Sequence, residues 1–119
     1  MAHALTRLTT RSQFLAVAAT RRKCARAGVV LQARARNDGV DAIGIGFTAT
    51  KKIGNAVARN RAKRRLREAA RAVLPNLGVP GTDYVAVARA ETGDTPFPQL
   101  IAAFEDAARD LARANGALR

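Results

Sequence analysis

From Lys51 to Arg71 the chain reads KKIGNAVARNRAKRRLREAAR, nine Lys or Arg residues with a single acid, Glu68. Projected at about 100° per residue, Ala58, Ala62, Leu66, Ala69, Ala70 and Val73 fall on one stripe. A helix patterned this way must lay that stripe on a sheet and turn the rest to water or a partner. The alanines let its backbone sit close to the sheet. Asn60, Arg61, Lys63, Arg64, Arg67 and Arg71 take the opposite arc, while Arg59 and Arg65 flank the stripe with their stems along it. Gly54 and Asn55 suit a tight start and an N-cap. Lys51 and Lys52 project near the positive end of the helix dipole, a place already favourable to phosphate.

A solvated helix face is the commoner fate of such charges. Here like charges at i, i+3 and i+4 repel by a few tenths of a kcal/mol per pair, and only Glu68 offers relief. The segment therefore points to a polyphosphate partner. The whole chain leans the same way, with 21 Lys and Arg against 9 Asp and Glu, a net charge of +12. No acid precedes Asp38, and six of the nine lie from Asp83 onward. One half is the binding half.

The flanking segments carry a single α/β domain of 119 residues, with residues 1–8 and 116–119 read as mobile tails. Thr10 and Gln13 form a capping box that starts a helix from about Arg11 to Ala19. Phe14, Leu15, Val17 and Ala18 give it an apolar side, and Arg21, Arg22, Lys23 and Arg26 follow as a basic connection. Gly28 opens GVVLQARAR, where Gln32, Arg34 and Arg36 alternate with Leu31, Ala33 and Ala35 as in a strand with one polar face. Asn37, Asp38 and Gly39 form a turn. In DAIGIGFT, Ile43, Ile45 and Phe47 share one side and Gly44 and Gly46 the other, a bare face open to close approach. The basic helix is expected to end near Leu74 and Pro75. TDYVAVARA is a third strand, and Pro98 to Asn115 a last amphipathic helix stopped by Gly116. The expected order is helix, two strands, helix, strand, helix, around a thin, alanine-rich core.

Cys24 is the only cysteine and His3 the only histidine, so an intramolecular disulfide and a multi-cysteine zinc site are excluded, and no metal-ligand set is assigned. No Ser, Cys or carboxylate constellation suggests a nuclease site. With tryptophan absent, base stacking falls to four phenylalanines, Tyr84 or arginine planes. MAHALTRLTT lacks the apolar run of a signal peptide, and nothing approaches the roughly 18 apolar residues that cross a membrane. A cytoplasmic location with no membrane contact is expected.

The run KKIGNAVARNRAKRRLREAAR, centred on Arg59, Asn60 and Arg61, resembles the signature of the bacterial ribonuclease P protein subunit. RSQFLAV, GVVLQ, IGIGFTATKK and DYVAVAR resemble further blocks of that family in the same order. The resemblance implies a compact α/β (α+β) fold shaped like one ribosomal-protein domain. Its central, mostly antiparallel sheet is packed by helices, with a left-handed βαβ crossover through the basic helix. The usual crossover rule gives the opposite hand. The implied partner is a large catalytic RNA that, with Mg²⁺ in the holoenzyme, hydrolyses the bond freeing the 5′ leader of precursor tRNA. The protein then has no catalytic residue and no obligate protein partner. The resemblance assigns Lys51, Lys52, Asn55, Arg59, Asn60, Arg61, Lys63, Arg64 and Arg67 to the catalytic RNA. It assigns a cleft with Phe14 to the leader, with Gln32 or Arg34 supplying hydrogen bonds. Phe14 reads equally well as a staple of the first helix onto the core. Ala18 and Gln32 stand where some relatives carry aromatics. The competing reading is a ribosomal or general nucleic-acid-binding structural protein.

Overall fold

Five strands and three helices follow one another in a computed structural model that describes residues 3–117. The order is β1 (Leu5–Arg7), α1 (Arg11–Ala19), β2 (Lys23–Arg26), β3 (Val29–Ala35), β4 (Ile43–Thr48), α2 (Ala56–Leu77), β5 (Thr82–Ala88) and α3 (Phe97–Ala117). A short 3-10 turn, Lys51–Ile53, precedes α2. One sheet holds all the strands in the order β1-β4-β5-β3-β2. β3 pairs antiparallel with β2 and β5, while β4 pairs parallel with β1 and β5. The mostly antiparallel sheet that the resemblance implies is thus a mixed one, whose longest ladder, seven pairs between β3 and β5, is antiparallel. Parallel neighbours β4 and β5 are joined through α2, so the basic helix is itself the crossover.

Side chains alternate across this sheet and give it two different faces. On one, Leu31, Ile43, Tyr84 and Ala86 are buried beneath α2 and α3, which contribute Leu66, Leu74, Leu100 and Phe104. Ala62, Ala69 and Ala70 of α2 are fully buried, as a helix seated close to a sheet requires. The expected stripe therefore faces the core, Ala58 at its N-terminal end being only half covered. On the other face α1 covers a smaller cluster of Leu8, Val17 and Val85, with Phe14 and Val87 packed against it. The radius of gyration, 13.3 Å, is close to the roughly 13.5 Å of a single domain of this length.

Local signals set the helix starts. Thr10 Oγ1 accepts from the Gln13 amide at 3.3 Å, and Gln13 Oε1 accepts from the Thr10 amide at 3.0 Å, closing the capping box. Asn55 Oδ1 accepts from the Ala58 amide at 2.9 Å and caps α2. Pro75 does not end that helix, which runs on to Leu77. A proline near the last turn forfeits one backbone bond, while buried Leu74 holds the turn to the core and its carbonyl accepts from Gly78.

Two strands lie in segments expected to hold none. β1 occupies part of the expected N-terminal tail: Ile43 donates to the Ala4 carbonyl, Leu8 donates to that of Ile45, and His3 donates to that of Pro75. β2 lies in the supposed basic connection, turning Cys24 inward. Burial raises that thiol's pKa. Gly28, at φ 84°, makes the two-residue turn into β3, where a Cβ would come 2.9 Å from Leu100 Cδ1. At the C-terminal end, α3 continues through Gly116 to Ala117, past its expected stop; the remainder of the expected tail, residues 118–119, lies outside the described residues.

Candidate nucleic-acid interface

The N-terminal half of α2 and the turn before it gather Lys51, Lys52, Arg59, Asn60, Arg61, Lys63 and Arg64 on one end of the molecule. Asn60, Arg61, Arg64 and both lysines of the turn are exposed, and Arg59 and Lys63 are half-buried. Among the described residues no cation of this helix lies within ion-pair distance of a carboxylate; the ion pairs involve Arg26, Arg36, Arg89 and Arg113 instead. The helix charge is left uncompensated.

Three of its arginines are nonetheless oriented, by backbone carbonyls. Arg59 Nη1 donates to Gly54 O at 3.2 Å. Arg61 donates to Gly93 O through Nε and Nη2, at 3.3 and 3.1 Å. Arg65 donates to Thr92 O and Thr95 O, with its guanidinium 5.9 Å from the Phe97 ring centroid. A carbonyl fixes a guanidinium's direction without neutralising it, leaving the other donors to an anion. The loop from Arg89 to Thr95 that offers these carbonyls is itself tied down. Thr92 Oγ1 donates to Gly28 O at 2.6 Å, and Glu91 accepts from the Gly28 amide at 3.0 Å, which lowers the Glu91 pKa.

Arg67 departs from the expected outward arc. Its guanidinium lies 5.9 Å from the Phe47 ring centroid, turned toward the β1–β4 edge of the sheet. Arg71, although exposed, borders the same hollow. The edge strand β1, which carries no sequence signal, is what gives that helix flank something to face.

Asn55 caps the helix from an exposed position. Asn55→Ala is expected to lower stability by about 1 kcal/mol, read as an earlier urea midpoint with an unchanged slope. An unmoved midpoint would show that the cap contributes nothing.

Phe14, Gln32 and Arg34 lie across the molecule, on the α1 face. The Phe14 ring packs over Gly46, where a Cβ would meet its Cζ at 2.5 Å. Gln32 pairs in register with Val85, and Arg34 with Asp83. Phe14 and Gln32 therefore lie beside the same stretch of β5, and Phe14 packs against the cluster under α1 as a staple of that helix. Tyr84 is withdrawn from any stacking role: it is buried, its hydroxyl accepts from the Val79 amide at 2.9 Å, and burial raises its pKa. Arg21 and Lys23, with Ala18 and Gln32, border a hollow below the end of α1. Three consecutive cations marked that place in the sequence; the turn at Thr20, whose hydroxyl donates to Ala33 O at 2.9 Å, brings them there.

Among the described residues no group of three or more His, Cys, Asp or Glu gathers as an ion site, and no helix is long and apolar enough to cross a membrane. Fold and surface together define a small, strongly basic α+β domain of the kind that holds a polyanion on one helix. Comparison with known proteins narrows the class. The family described as Ribonuclease P matches residues 3–112. The "Ribonuclease P protein component" of Ruegeria pomeroyi is 52% identical over 103 residues, 85% of this chain and 82% of that protein. That of Paramagnetospirillum magneticum is 47% identical over 104 residues, 85% and 78%. The solved ribonuclease P protein of Thermotoga maritima superposes with a TM-score of 0.74 at 24% identity, over 88% of this chain and 96% of that one, a likeness of fold. This chain belongs to the ribonuclease P protein family, whose members are components of an endoribonuclease.

Proposed function

We propose that the chain is the RNA-binding protein subunit of ribonuclease P, assisting a catalytic RNA as it hydrolyses the bond that frees the 5′ leader from precursor tRNA. The observation that carries this reading is the uncompensated, partly pre-oriented cation cluster at the N-terminal half of α2. Lys51, Lys52, Arg59, Asn60, Arg61, Lys63 and Arg64 dock the RNA through its phosphates, with Asn55 fixing the helix start and Arg67 contributing from the flank. Guanidinium forks pair with phosphate oxygens bidentately, which lysine cannot reproduce. The leader lies in the cleft on the α1 face, against Phe14, with Gln32 and Arg34 as hydrogen-bond donors and Arg21 and Lys23 nearby.

Catalysis resides in the RNA. Mg²⁺ in the holoenzyme would supply charge neutralisation and water activation, with backbone phosphates and other RNA oxygens as its ligands. The protein's part is electrostatic: it neutralises phosphates of both RNAs and lowers the ion concentration they need to associate. It works in the cytoplasm, with no obligate protein partner. Adding the purified chain to the catalytic RNA is expected to raise precursor cleavage at low Mg²⁺. Absence of stimulation there, together with copurification of ribosomal RNA alone, would move the chain to the class of ribosomal or general nucleic-acid-binding proteins.

A further inference from the structure

A hollow of about 160 Å³ opens between the second half of α2 and the β1–β4 edge, away from the helix start. Leu5, Ile45, Phe47 and Ala70 floor it, and Arg7, Arg67 and Arg71 stand around it. β1 creates the site. Its parallel register sets Leu5 opposite Ile43 and Arg7 opposite Ile45, so Leu5 and Arg7, two residues apart, share the face that α2 covers. We infer that this hollow seats one unstacked nucleotide, its base on the apolar floor and its phosphate on the arginines.

Two observations point to a ligand independently. Arg67 Nε is buried and has no hydrogen-bond partner; a buried donor on a charged group stays costly until an acceptor enters. Arg7, Arg67 and Arg71 also lack any carboxylate within ion-pair distance among the described residues. Three guanidiniums on a largely apolar hollow select an amphipathic anion. Inorganic phosphate answers the charge and leaves the floor wet, while a neutral ring covers the floor and leaves the cations unpaired. Size narrows the choice further. Drug-sized ligands occupy roughly 300–1,000 Å³, so this hollow takes a single ring system, with sugar and phosphate at its mouth. The Arg67 plane near Phe47 offers the ring a stacking partner, as arginine planes do for unstacked bases.

The nucleotide has two possible sources, an extruded residue of a bound RNA strand or a free nucleotide, and AMP probes the shared chemistry. Titrating the full chain with AMP, adenosine and inorganic phosphate, followed by amide NMR, is expected to move Leu5, Phe47 and Ala70 with AMP. AMP is also expected to bind at least tenfold more tightly than either fragment. Arg71→Gln, an exposed change that leaves the fold intact, should weaken AMP about tenfold, the loss of one charge-assisted hydrogen bond. Repeating the titration with ribonuclease P RNA bound separates the sources: exclusion of AMP assigns the seat to an RNA nucleotide, and retained binding assigns it to the free one. Equal binding of AMP and phosphate, or no movement of Leu5, Phe47 and Ala70, overturns the inference. The first titration contains no RNA, so its failure is distinct from a failure of the docking reading.

Discussion

Raising monovalent salt from 50 to 200 mM is expected to weaken binding of the chain to ribonuclease P RNA by on the order of 10³-fold, the response to about six neutralised phosphates. The number comes from Lys51, Lys52, Arg59, Arg61, Lys63 and Arg64, none of which has a carboxylate partner among the described residues. Each such cation releases counterions when it meets a phosphate. A flat salt response in a filter-binding or fluorescence titration would end the electrostatic account. Two alanine variants apportion the effect. Arg61 is exposed and bonds only to the Gly93 carbonyl, so Arg61→Ala should lower the salt slope by about 1 and leave the melting temperature nearly unchanged. Arg65 is half-buried, bonded to the Thr92 and Thr95 carbonyls and set beside Phe97. Arg65→Ala should do the reverse, with the slope kept and about 1–3 kcal/mol of stability lost. Neighbouring arginines on one helix thus serve opposite ends.

What the sequence made legible was what short-range chemistry controls. The capping box at Thr10 and Gln13 and the cap at Asn55 rest on contacts three residues apart, and both are present. The stripe from Ala62 to Val73 follows from helical period alone, and it is buried. β1 and β2 escaped because they are edge strands of three and four residues, held by backbone pairing that no side-chain pattern advertises. Missing β1 had a second consequence. Without that edge, Arg67 and Arg71 read as part of the outward arc, and the hollow they border could not be foreseen. Charge counting located the cations, yet only the fold sorts them into those on the helix start, those holding the Arg89–Thr95 loop and those over the sheet edge.

The bare side of β4 was legible as room for close approach, and its occupants give the second large effect expected. Gly44→Ala should destabilise the fold by about 3–5 kcal/mol, a large part of the roughly 5–15 kcal/mol that holds a domain together. A Cβ there would collide with Asp83 Oδ1 and lie 2.8 Å from Leu8 Cδ2. Asp83 is 4% exposed, and that same oxygen accepts from Arg36 Nη1 at 2.7 Å. The Arg36 guanidinium also donates to Asp38 and to the Val40 and Ala42 carbonyls, binding the loop after β3 to the start of β4. Moving the carboxylate therefore takes the buried partner from a guanidinium whose side chain is only 16% exposed, leaving it the half-exposed Asp38 and two carbonyls. The melting temperature should fall by on the order of 10–20 °C. Asp83→Ala should cost a similar amount by the same route, and the double variant no more than either alone, because both remove one interaction. Additive losses would separate the two effects and assign the Gly44 requirement to Leu8 instead. In either case the glycine keeps the α1 side of β4 open for Leu8 and Asp83.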